Sequence, residues 1–351
     1  MKNIKILYLY AEVMGYTIAT IRELANLGIE LHIVSWDKKK ITPYVYPNIE
    51  NVTFYKRSDH NYNSISEIAR NINPNLIVIS GWQDYTYLRV VKKIKRNGIP
   101  IVSGFDSQFL GTFKQNISII IGRIYKKYFF THGWVAGPLQ FEYAKKLRFK
   151  TNEIIFNLYS ADLDIFNNSF NVSINKNLSL TKKFIFVGRF ENIKGIKLLI
   201  DAWEKLGKNK NDWTLQFIGN GTYKDYLKNR TDIIVTDFVQ PYQLNEIIST
   251  AGCFVLPSLY EPWGVVIHEF AAAGLPLICS DKCGAASEFL INGYNGFLFK
   301  SGSIVSLSKQ MLKIINLQNI DLYKMSIGSN ILAQRISPTI SAKSLLSILS
   351  T

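Results

Sequence analysis

The chain has 351 residues, 47% of them apolar and 19% charged, which exceeds one typical domain, suits two, and excludes a disordered chain. A formal charge of +15 raises nucleic acid as a partner, but no helix-turn-helix, RNP motif or zinc-ligand spacing accompanies it, so no nucleic acid is expected. Three cysteines without a CxxC spacing, and an opening apolar run cut short at Glu12, argue against a disulfide scaffold and a signal peptide. They point to the cytoplasm.

In chain order, KILYLY at 5–10, an amphipathic stretch from Thr17 to Leu27, Gly28 as a helix stop and ELHIVS at 30–35 read as a βαβ unit. Buried strands are predicted again at 75–80 and 99–103, with helices at 64–72 and 86–97. Such alternation builds a parallel sheet covered by helices on both faces. The longest apolar stretches here, such as 117–121, fall short of the roughly 18 residues that span a bilayer. Residues 1–165 carry 22 Lys/Arg against 13 Asp/Glu, clustered at 38–40, 92–96, 123–127 and 145–150. That excess suits either a solvated basic surface or an anionic membrane surface.

Residues 167–182 are polar and read as a linker between an N-terminal domain, 1–166, and a C-terminal one, 183–335. The second domain repeats the alternation, with strands predicted at 184–187, 214–218, 233–236, 253–256 and 276–280 and helices at about 195–206, 222–229, 241–250 and 264–273. The fold class is therefore α/β, two Rossmann-like doubly wound domains. Ligands bind outside the carboxyl ends of such sheets, so the two are expected to face each other across a cleft.

The densest chemical signal is PSLYEPWGVVIHEFAAAGLPLICSD, from Pro257 to Asp281. A strand ends, a loop carries Glu261, and a helix opens near Gly264. Its free amides at Gly264, Val265 and Val266 and its positive dipole end suit anionic oxygen such as a diphosphate. Glu269, about one turn inside, can accept both hydroxyls of a ribose, and Glu261 can reach hydroxyls beyond the phosphates. Two glutamates at this spacing also arise by chance on surface helices. Upstream, FIFVGRFENIKGIKLLIDAW puts Arg189 after a strand and Lys194 before a helix, with Gly188 and Gly195 permitting close backbone approach. Two cations there suit a leaving diphosphate, though both also read as solvated surface charges.

Taken together, the VGR…KG element, IGNG at 218–221, TDFV at 236–239, FVLPS, the E-x7-E pair and GAASEFLINGYNGFLF at 284–299 resemble the retaining glycosyltransferases of family 4, which have the GT-B fold. The resemblance implies transfer of a sugar from a nucleotide-diphosphate sugar with retention of configuration, metal-independent and with no cofactor. Bacterial surface polysaccharide or glycoconjugate assembly is the implied setting. It also implies Arg189 and Lys194 on the donor phosphates, Glu261 on the donor sugar, Glu269 on the ribose, and donor contacts from the loop of Trp263, Gly264 and Val265. Asp162 with Phe166 resembles the family's D-x3-F element, and the segment 336–351 resembles a C-terminal helix that returns to the first domain.

The first domain matches less closely. Its early loop, AEVMGY, has only Gly15, and where relatives carry a histidine this chain has SGFDSQFLGT, so Asp106 is the candidate contact to acceptor or sugar, with a loop cap as the alternative. His132 is expected at a strand start in a structural role; Glu12 suits cleft or solvent equally. The expected acceptor is a saccharide, lipid-linked or protein-linked, and the expected location is cytoplasmic, peripheral on the inner membrane face if the basic clusters bind lipid. Rival readings are a sugar-nucleotide epimerase, a phosphorylase, and a non-catalytic donor-binding partner subunit of another transferase.

Overall fold

The computed structural model describes residues 4–38, 46–175 and 181–350. The chain divides into unit 1, Met1–Ser160 with Ile336–Thr351, and unit 2, Ala161–Arg335. In unit 1 the strands β1 (Lys5–Tyr10), β2 (Glu30–Ser35), β3 (Val52–Lys56), β4 (Leu76–Ile79), β5 (Ile101–Phe105), β6 (His132–Val135) and β7 (Ile154–Ile155) form one parallel sheet in the order β3-β2-β1-β4-β5-β6-β7. Between them lie α1 (Gly15–Asn26), α2 (Tyr62–Ile72), α3 (Tyr85–Ile94), α4 (Phe113–Phe129) and α5 (Pro138–Lys146). β1 and β4 are buried on both faces, as continuous apolar runs in a helix-covered sheet must be.

Local chemistry sets the helix ends. Asn61 accepts from the amides of Asn63 and Ser64 while the Ser64 hydroxyl accepts from the Asn61 amide, closing a capping box on α2. Asp84 caps α3 through the Thr86 and Tyr87 amides. The same carboxylate takes Arg57 Nε at 2.9 Å and Trp36 Nε1 at 3.0 Å, which ties the segments after β2, β3 and β4 together.

Unit 2 opens on α6 (Leu163–Asn175) and continues β8 (Lys183–Val187), α7 (Ile196–Lys205), β9 (Thr214–Ile218), α8 (Lys224–Lys228), β10 (Ile234–Thr236), α9 (Leu244–Ile248), β11 (Cys253–Leu256), α10 (Val265–Ala272), β12 (Leu277–Ser280), α11 (Ala286–Phe289), β13 (Gly296–Phe299), α12 (Ile304–Ile315) and α13 (Asn319–Ala333). Its strands are parallel in the order β10-β9-β8-β11-β12-β13. The order reverses between β8 and β11, so the segments leaving those two strands flank the switch point where such sheets hold ligands. Phe270 of α10 stacks on Phe254 of β11 at 4.2 Å, which seats that helix on the sheet. Cys253, Cys279 and Cys283 are buried free thiols, and burial pushes Cys283 up to about 12.

The stretch read as linker from 167 onward is corrected by α6, which runs through residue 175; residues 176–180 lie outside the described residues. Its polar composition conceals an apolar inner side, Leu163 and Phe166, and Ser169 donates to Asn245 Oδ1 at 2.6 Å. After unit 2, α14 (Pro338–Leu346) belongs to unit 1, where it packs on α1. Thr339 donates to Glu23 at 2.8 Å, and Asn157 donates to Ser344 at 3.3 Å.

Candidate functional site

In unit 2, Gly188 and Arg189 follow β8 directly, and Lys194 ends a short turn before α7. Arg189 is exposed; Lys194 is half-buried. Gly195 has φ of +72°, and a Cβ there would lie 2.1 Å from the carbonyl oxygen of Pro257. Only glycine lets the start of α7 approach the end of β11 this closely. The Leu259 amide donates to the Ile193 carbonyl at 2.9 Å, so the β8–α7 and β11–α10 loops are bonded to each other across the switch point. The 218–221 turn is pinned from the other side: the Phe190 amide donates to Asn220 O at 2.8 Å, and Thr222 donates to Glu191 at 3.0 Å.

That closure brings Lys194 onto Glu261, 67 positions along the chain, as an ion pair with little solvent access to either side chain. Ser258 donates to the same carboxylate at 3.3 Å. The backbone of Glu261 is held by Lys282 and Gly284, each at 3.1 Å, and the carbonyl of Trp263 accepts from the Ala285 amide at 2.8 Å. The segment 282–285 therefore fixes the loop from which Glu261 projects. Trp263 itself is buried.

Gly264 is the N-cap of α10, with φ of +87° and no side-chain cap, so Val265 and Val266 open the helix with amides that have no intrahelical acceptor. Glu269 is half-buried one turn further on. Burial, with the Asp162 carboxylate adding to it, pushes Glu269 up to about 7. Asp162 and Phe166, paired by sequence resemblance, are bonded through their backbones and both buried. Next to Glu269, His268 has both nitrogens in use and no solvent access: Ala161 N–H donates to Nδ1 at 3.0 Å, and Nε2 donates to the Ala333 carbonyl at 2.9 Å. The sequence reading passed over it. A histidine among the apolar residues of α10, next to Glu269, is the signal the sequence offers.

Asp106 belongs to unit 1, one residue past β5. Buried Gln140 donates to its backbone carbonyl at 3.0 Å, and its carboxylate faces the phenols of Tyr10 and Tyr159; burial first, and that carboxylate among the charges beside it, push both phenols up. Glu12 is half-exposed in the loop after β1. His132 opens β6 as expected, its Nδ1 2.9 Å from the Thr131 hydroxyl, and burial lowers its pKa.

The arrangement in unit 2 thus offers one exposed guanidinium, one ammonium held by a carboxylate, and an uncapped helix start around the ends of β8 and β11, with Glu269, its pKa raised by burial, one turn inside that helix. Residues 170–328 match the family Glycosyl transferases group 1. An uncharacterized glycosyltransferase of Methanocaldococcus jannaschii is 34% identical over 122 residues, 33% of this chain and 31% of that protein, so the match spans about a third of its length. The N,N'-diacetylbacillosaminyl-diphospho-undecaprenol alpha-1,3-N-acetylgalactosaminyltransferase of Campylobacter jejuni is 23% identical over 90% of this chain and 86% of its own. Among solved structures, sucrose-phosphate synthase from Thermosynechococcus elongatus superposes with a TM-score of 0.79 at 14% identity, covering 99% of both chains. Anabaena HepE in complex with UDP gives 0.74 at 14% identity, covering 99% of this chain and all of the other. Most of unit 2 is therefore similar to the glycosyl transferases group 1 family, in a chain with the two doubly wound units of the GT-B fold.

Proposed function

We propose that this chain is a retaining, metal-independent glycosyltransferase that binds a nucleotide-diphosphate sugar on unit 2 and transfers the sugar to a saccharide, lipid-linked or protein-linked acceptor on unit 1. The observation that carries the reading is the Lys194–Glu261 pair and the uncapped start of α10 at the β8/β11 switch point, with Arg189 in the loop that leaves β8. Arg189 and the amides of α10 are the positive groups there, and Lys194 is shared with Glu261. Arg189 grips phosphate oxygens by its fork, Lys194 supplies a point charge, and the α10 amides add fixed dipoles that need no reorganisation as charge grows. The Glu261 carboxylate keeps the Lys194 ammonium oriented, and it is the group proposed to meet the sugar hydroxyls. The departing phosphate oxygen then takes the acceptor's proton on the same face, which accounts for retention without a protein nucleophile.

UDP sugars are the first donors to test, because a protein of the same fold was solved with UDP. The name of the Campylobacter relative favours a lipid-linked acceptor, and with it a place in bacterial surface polysaccharide assembly at the inner membrane face. A panel of nucleotide-diphosphate sugars should raise the melting temperature for one base and sugar above the rest. At 100 times its Kd the donor should add about 2.7 kcal/mol. No stabilisation by any member, and no transfer, would overturn the proposal.

On the acceptor side, Asp106→Asn should slow turnover roughly tenfold to a hundredfold, the loss expected when a charged hydrogen-bond partner is removed, while donor affinity stays at the parental value. Unchanged turnover would return Asp106 to the role of a loop cap.

A further inference from the structure

Helix α4 turns an apolar stripe to solvent. Phe113 is 82% exposed and Ile120 62%, and Ile117, Ile121, Ile124 and Tyr128 are each about half exposed. At about 100° per residue these six fall within an arc of roughly 100°. The opposite side does the packing: Ile119 and Gly122 are buried, and a Cβ at Gly122 would meet Leu147 at 2.4 Å and Trp82 at 3.5 Å. The stripe is therefore aimed away from the core that holds the helix. Its borders are basic, with Lys114 along one edge and Arg123 and Lys127 along the other, and the 17 residues of α4 include no acid. From 85 to 129 the chain has nine Lys/Arg and one acidic residue, Asp106. Not all of the basic clusters are available: Lys95 donates to carbonyls at the end of α4, and Lys126 pairs with Glu153 at 2.8 Å.

We infer that α4 docks unit 1 on an anionic lipid bilayer, lying in the plane of the interface with Phe113, Ile117, Ile120 and Ile124 in the acyl boundary and Lys114, Arg123 and Lys127 at the headgroups. An apolar face bordered by cations is the pattern of interfacial helices. A second copy is disfavoured as the occupant, because a two-fold contact would set those cations against their own kind with no acid on the helix to pair them. Nor does α4 span: among the described residues no helix is long and apolar enough to cross a membrane. The inference concerns binding alone and holds whether or not the proposed reaction is the right one.

The test is flotation with vesicles of phosphatidylcholine, with and without phosphatidylglycerol, in the absence of any donor or acceptor. The parent should float with the anionic vesicles and stay down with the neutral ones. Joint Ile120→Ser and Ile124→Ser should cut the bound fraction at least about fivefold with no change in melting temperature, since both side chains are already in water. Lys114→Gln with Lys127→Gln should also reduce binding, and added salt should mimic that pair. Phe113→Ser is the second apolar variant, should the isoleucine pair fold poorly. Failure of the parent to float with anionic vesicles, or flotation undiminished by the apolar variants, would overturn the inference. So would a doubling of molecular mass in solution that Ile120→Ser abolishes while the parent ignores vesicles.

Discussion

Arg189→Ala is expected to lose at least tenfold in the rate of sugar transfer while melting at the parental temperature. Its side chain is exposed at the end of β8 and contributes nothing to the core, so the fold loses only a solvated charge. What the reaction loses is a cation beside the leaving diphosphate, worth up to roughly 10² to 10³ in kcat by analogy with oxyanion-hole donors. Donor binding should suffer less, because ground-state phosphate charge is already met by the amides at the start of α10. Arg189→Lys should remain impaired, since the fork is gone.

Lys194→Ala should lose at least as much in rate, but for this residue the structure separates two effects. Its ammonium is the partner of Glu261, and removing it strands a carboxylate whose side chain is only 10% exposed. Breaking a buried pair costs about 3–5 kcal/mol, an upper bound here because the Ser258 bond remains. The variant should therefore melt early as well as work slowly. Combining it with Glu261→Gln removes the stranded charge and should recover much of the stability without recovering the rate. Lys228, exposed and 3.9 Å from Asp237, is the control, and Lys228→Ala should do nothing measurable. Parental transfer rates in Arg189→Ala and in the Lys194 double variant would show that these cations do not serve the leaving group.

The strands that build the two sheets were legible because parallel strands buried on both faces are written as unbroken apolar runs, and β1, β8 and β11 stand within a residue or so of where those runs put them. What patterning cannot supply is pairing across distance. Lys194 and Glu261 read separately as a surface cation and a loop carboxylate; they meet because β8 and β11 are neighbours and because Gly195 lets two loops touch. Elements were missed for physical reasons too. In α6, asparagines and serines are as many as the apolar residues, and in α4 apolar residues occupy a solvent-facing stripe as well as the packed side, which blurs the periodicity that marks a helix. His268 was silent because its partners, Ala161 and Ala333, are backbone groups far away in sequence.

Donor affinity is expected to depend on pH through Glu269. In the folded chain this carboxyl is pushed up from an ordinary value of 4.5 to about 7, burial being the main cause and Asp162 the second. Between those two values the folded state holds a proton that the unfolded state has released, so unliganded stability should fall as pH rises through that window and level off above it. A ribose whose hydroxyls donate to the carboxylate favours the ionised form, so binding must first expel the proton below neutrality. Nucleotide-diphosphate sugars carry no phosphate group that titrates in this range, which leaves Glu269 as the group whose ionisation the affinity reports. Apparent Kd should rise by up to about tenfold for each pH unit below 7 and be nearly flat above 8. Glu269→Gln should bind roughly ten to a hundred times more weakly than the parent at high pH, the worth of a charged hydrogen-bond acceptor, and should lose the pH dependence. Calorimetric titration of the best donor across this range decides the matter: a parental Kd that does not move with pH, or a Gln variant that keeps the parental profile, would remove Glu269 from the ribose and leave its raised pKa as a consequence of packing alone.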